Sequence, residues 1–84
     1  MNNEMVRRRI GDVDFYRSCV RQAAYEALSC QRRARIEWDR AYGARDDNDT
    51  YRYRRYLENA RRYTERADEC VEEIKVYLKF IVGA

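Results

Sequence analysis

The chain contains no histidine and no proline, only three glycines and three cysteines, and two lysines against sixteen arginines. Each shortage excludes something. Without histidine the commonest general acid–base group is missing. The Glu-x-x-His motifs of a di-iron bundle cannot be built either. Without proline, and with Gly11 and Gly43 the only interior glycines, long uninterrupted helices are favoured. Cys19, Cys30 and Cys70 are odd in number, lack a C-x-x-C and match no zinc spacing, so reduced thiols in a cytoplasmic setting are expected. No Gly-rich phosphate loop is present. These absences point to a non-catalytic protein without a cofactor or metal.

Long hydrophobic runs are also scarce. The start, MNNEMVRRRI, places three arginines where a leader peptide would be apolar. The longest apolar stretch, VYLKFIV over Val76–Val82, falls far short of the ~20 residues a membrane span needs. No membrane role and no small-molecule substrate are expected.

The chain has 84 residues, enough for one small domain over 1–84 whose own core is thin. Its apolar residues are spaced in heptads. Val6, Val13, Val20, Ala27, Ala34 and Ala41 lie seven apart, with Tyr16, Ala23 and Cys30 three residues on. Tyr53, Ala60, Ala67, Ile74 and Ile81 repeat the pattern, with Tyr56, Tyr63, Cys70 and Tyr77. Two long helices with small residues at the seam follow. Between them lies GARDDND, residues 43–49, where Gly43 is the expected C-cap and Asp49 or Thr50 the expected N-cap. The expected fold is therefore an all-α antiparallel helical hairpin. Helix 1 covers about 12–42, or starts as early as Asn3, the turn 43–49 and helix 2 about 50–82; a break at Gly11-Asp12 would leave residues 3–10 as a separate helical arm. Folding at the turn sets Ala41 near Tyr53, Cys30 near Tyr63, Ala23 near Cys70 and Val20 near Ile74.

Two helices do not use up the apolar surface. A third heptad position is apolar too, through Ile10, Ala24 and Trp38 on helix 1 and Leu57, Val71 and Leu78 on helix 2. Three apolar positions per heptad describe a helix inside a bundle. Val76, Phe80 and Val82 make the end of helix 2 apolar nearly all round. Trp38, Leu57, Val71, Val76, Leu78, Phe80 and Val82 are thus the candidate partner-binding residues. Residues 1–10 folding back, a second copy completing a four-helix bundle, or another protein are the covers that would suit them. The homodimer is favoured.

Arginine suggests an alternative. TYRYRRYLENARRYTER, Thr50 to Arg66, sets Arg54, Arg55, Arg61 and Arg62 in two adjacent columns along helix 2, a candidate nucleic-acid or anion-binding stripe. Against it stand the helical pairs Glu58–Arg62, Glu58–Arg61, Arg62–Glu65, Arg33–Glu37 and Arg35–Asp39, which would neutralise the charge within the chain. In architecture alone, a dimerising hairpin with Ala- and Cys-rich layers resembles plasmid-copy-number RNA-binding hairpins and the small hairpin co-chaperones of type III secretion needle subunits. A likeness of shape carries no function. The expected role is a protein-interaction module, such as a small adaptor, a co-chaperone or a phage-type inhibitor of a host protein, with RNA or DNA binding by a dimer as the alternative.

Overall fold

Helix propensity and heptad spacing produce two helices that lie side by side and no strand among the described residues. The computed structural model describes residues 3–83. Helix α1 runs Asn3–Asp46 and helix α2 runs Thr50–Gly83. The molecule is an antiparallel hairpin, as the heptads require. Its extents are 70 × 14 × 13 Å. The radius of gyration is 19.4 Å, against about 12 Å for a globule of this length. Accessible surface is 7116 Å², against roughly 5,400 Å² for a compact protein of this mass. A lone hairpin leaves about a third more surface in water than a globule would.

The helix limits differ from those read in the sequence. α1 passes through Gly11 and Gly43 without a break, neither glycine has positive φ, and the helix continues to Asp46. Helix 1 therefore extends well beyond 12–42 at both ends, and no separate arm folds back, since the backbone from Asn3 onward belongs to α1. What the side chains of residues 1–10 cover lies outside the described residues.

Gly43 is not the C-cap because Asn48 takes that part, with φ 57°. The amide of Asn48 donates to the carbonyl of Arg45 (3.0 Å) and that of Asp49 to the carbonyl of Ala44 (2.8 Å). This is the Schellman pattern, which satisfies the last carbonyls of a helix. Asp49 then opens α2: its Oδ1 accepts from the backbone N–H of Arg52 at 3.0 Å. One residue thus ends one helix and starts the next, and only Asp47, Asn48 and Asp49 separate them.

The seam follows the heptads. Tyr16 meets Tyr77, Glu26 meets Arg66, Arg33 meets Tyr63 and Glu37 meets Asn59. This register places Ala34 level with Ala60 and Ala27 level with Ala67. In the middle of the hairpin these layers of small facing small alternate with Cys30 level with Tyr63, where a small residue of α1 faces a large one of α2. The buried residues are Ala23, Ala27, Cys30, Ala34, Ala41 and Ala44 of α1, and Ala60, Ala67 and Cys70 of α2. Among the described residues Cys70 is the largest side chain that is fully buried. Small side chains let the helices approach closely, but they remove little apolar area from water. The three cysteines are free. No helix of the described residues is long and apolar enough to cross a membrane.

Candidate functional site: a cationic apolar flank

In an antiparallel pair, the positions that border the seam on one side of α1 meet those of the same heptad letter on α2. One side of this hairpin is bridged by a single arginine on α2. There Arg66 forks onto Glu26, Nε to Oε1 at 2.7 Å and Nη2 to Oε2 at 2.9 Å. Its Nη1 also reaches Glu69 (3.2 Å) and Glu73 (3.1 Å). The guanidinium holds the Glu26 carboxyl below its ordinary range, chiefly through these hydrogen bonds, and the three carboxylates hold Arg66 above its own. Burial pushes the neighbouring Cys70 thiol up, which keeps it protonated and unreactive at neutral pH.

The other side is different. Trp38 stands level with Leu57, Gln31 with Thr64, Ala24 with Val71, and Arg17 with Leu78. Trp38 and Leu57 are half-buried, while Val71 and Leu78 remain 38% and 45% exposed. Leu28, Tyr42 and Val82 border the same flank and are exposed as well. Trp38 stacks on Tyr42 with ring centroids 6.2 Å apart, and Arg45 lies over the other ring at 5.1 Å. The structure therefore brings Trp38, Leu57, Val71 and Leu78 onto one flank, with Val82 at its edge.

It does not bring Val76 and Phe80 there. Both lie toward the opposite side of α2. Phe80 is half-exposed, but one face of its ring stacks on Tyr16, centroids 5.0 Å apart and planes at 12°. Phe15 packs edge-on against Tyr16 at 5.5 Å. Of VYLKFIV, Tyr77 and Phe80 thus belong to an aromatic cluster within the hairpin, while Val76 stays half-exposed.

The four stripe arginines divide in the same way. All are exposed. Arg54 and Arg61 border the apolar flank, and Arg55 and Arg62 face away from it. Arg62 bonds Glu58 at 2.8 Å. The pairs Glu58–Arg61, Arg62–Glu65, Arg33–Glu37 and Arg35–Asp39 are not among the ion pairs of the described residues. Glu37 instead binds Arg40 (3.1 Å), and Arg33 lies over the Tyr63 ring at 5.8 Å.

Charge is thus sorted about the seam, which no single helix reveals. Arg40, Arg52, Arg62 and Arg66 are ion-paired and point away from the apolar flank, as do Arg32, Arg33 and Arg55, which have no carboxylate partner among the described residues. Arg17, Arg21, Arg35, Arg45, Arg54 and Arg61 border it and have no carboxylate partner among the described residues. Lys75 lies on the same border and bonds Glu72. The acids there are Asp14 and Asp68. Heptad letters in both helices, taken together with the register, carry this signal; the count of arginines along α2 does not.

Among the described residues no group of three Cys, Asp or Glu side chains is placed to hold a metal ion. Comparison with family models, with curated proteins and with solved structures finds no match.

Proposed function

We propose that the chain is a non-catalytic protein-interaction module whose working surface is the flank carrying Trp38, Leu57, Val71 and Leu78. One observation carries the reading: among the described residues only alanine and cysteine are buried in the seam, while larger apolar side chains line an open flank beside it. A side chain as large as leucine gains ~1.5–3 kcal/mol on full burial, and on this flank that gain is left for another layer of helix. An adaptor, a co-chaperone or an inhibitor of another protein would use such a face.

The test is the double variant Leu57→Glu/Leu78→Glu, read by far-UV circular dichroism, binding of a hydrophobic dye, and molar mass by light scattering. Helicity should persist, because neither leucine is part of the buried seam. Dye binding and any association should be lost. Unfolding of the variant would mean that the flank belongs to the hairpin's own core. Unchanged dye binding together with unchanged mass would also overturn the reading.

A further inference from the structure

The flank carries information about what covers it. We infer that its occupant is an acidic amphipathic helix from another protein, seated along the groove between α1 and α2. The inference rests on the flank being an interaction surface and adds the chemistry of the partner.

The charge around the flank is complementary to such a helix. The apolar line from Trp38 and Leu57 through Val71 to Leu78 is bordered by six arginines with no carboxylate partner among the described residues. With Lys75 they outnumber Asp14 and Asp68 there by seven to two. On the opposite side Arg66 alone gathers three carboxylates. The distribution is therefore not that of a uniformly basic surface. Cations border the apolar groove on both helices, Arg21 and Arg35 from α1 and Arg54 and Arg61 from α2. A helix laid there with leucines inward and glutamates at its margins would bury the first and pair the second.

A second copy suits this face poorly. A two-fold dimer presents the same patch to itself, so it would set the bordering arginines of one copy against those of the other. Nucleic acid suits it poorly for another reason. The bordering arginines can reach phosphate, but bases stack on aromatic faces. The flank's aromatic pair, Trp38 and Tyr42, is confined to the turn end, and toward the open end Val71 and Leu78 offer no ring.

Trp38 is the only tryptophan in the chain and lies on the flank, so its emission reports occupancy directly. The probe is a designed amphipathic peptide of about 20 residues with leucine on one face and glutamate at the margins, compared with the same peptide carrying lysine. The glutamate peptide should shift Trp38 emission to the blue. It should bind at least about tenfold more tightly than the lysine peptide and weaken as salt rises. Arg54→Glu/Arg61→Glu should weaken it by about tenfold or more, and Arg55→Glu/Arg62→Glu, with the same change in net charge, by about twofold at most.

Equal loss in both double variants would mean bulk attraction and overturn the inference. So would equal binding of the two peptides. Tighter binding of an RNA duplex than of the glutamate peptide, with the same dependence on Arg54 and Arg61, would make nucleic acid the occupant. A dimer that Leu57→Glu/Leu78→Glu dissociates and the peptide does not displace would make it a second copy. Loss of dye binding in that variant without peptide binding sinks the acidic partner alone. Dye binding and molar mass both unchanged sink the flank itself.

Discussion

Arg66 on α2 grips both carboxylate oxygens of Glu26 on α1, at 2.7 and 2.9 Å. It is the one ion pair between the helices among the described residues, and it fixes their register on the polar side of the seam. Both side chains remain partly exposed, 37% and 47%, so water screens the attraction and its effect on stability is small. Its pH dependence is nevertheless definite in sign. The Glu26 carboxyl sits below its ordinary value of 4.5 in the folded chain, chiefly because of the hydrogen bonds from Arg66. A depressed carboxyl contributes stability above its unfolded pKa and loses it as pH falls through the folded pKa. Glu26→Gln should therefore lower the melting temperature at neutral pH, and the gap to the wild type should close on acidification past the carboxylate range. Thermal melts across that range check it. A gap that persists in acid would show that something other than ionisation holds the pair.

Gly11 and Gly43 both lie inside α1 with ordinary helical backbone, and a Cβ added at either would meet no atom within 4 Å. Alanine should therefore be favoured at each position. Gly11→Ala and Gly43→Ala are each expected to stabilise the hairpin by about 0.5–1 kcal/mol, seen as a higher urea midpoint. A loss at Gly43 would mean that the helix ends there.

The difference at Gly43 shows what is legible in the sequence. Val13, Val20, Ala27, Ala34 and Ala41 on one helix and Ala60, Ala67, Ile74 and Ile81 on the other give the hairpin and its register, because heptad phase is a local property that packing then uses. The end of α1 is not legible in the same way, because glycine is the usual left-handed residue and Gly43 draws the eye. Asn48, three residues after Arg45, takes that conformation instead and hands the chain directly to the capping Asp49. The flank of Trp38, Leu57, Val71 and Leu78 is legible for the same reason as the fold. The place of Phe80 is not, since its stacking on Tyr16 joins residues from opposite ends of the chain. The sorting of paired and unpaired arginines also needs both helices at once.

Asp49 serves both helices, and its two duties can be separated. Asp49→Ala keeps the backbone bond to Ala44 but removes the oxygen that accepts from Arg52. It should cost about 1 kcal/mol. Asn48→Gly should be neutral or slightly stabilising, because glycine takes positive φ without penalty. Asn48→Val should destabilise, since a β-branched residue resists that conformation. Urea denaturation of the three variants checks the ranking. A harmless Asn48→Val would refute the left-handed cap.

Phe80 tests whether the end of α2 is core or interface. Its ring lies nearly parallel to that of Tyr16, at 12°. Such a pair contributes about 0.5–1.5 kcal/mol beyond the area it buries. A double-mutant cycle with Phe80→Leu and Tyr16→Leu should show coupling of that order, measured by denaturation. Phe80→Leu should leave binding at the Trp38 flank unchanged. Zero coupling, with binding lost instead, would place Phe80 in the interface.

The middle of the seam is the least forgiving place. Ala60 is fully buried and stands level with Ala34, itself buried. Two buried alanines at one level let the helix backbones approach closely, and a larger side chain at Ala60 would have to displace the facing helix. Ala60→Leu should force the helices apart and cost about 1–3 kcal/mol, even though leucine is the more hydrophobic residue and a good helix former. Ala24→Leu, the same enlargement on the open flank beside Val71, should change stability little. Comparing the two urea midpoints separates the effects. If Ala60→Leu stabilises the chain, the close approach is wrong, and the flank would no longer be the main apolar surface in need of a partner.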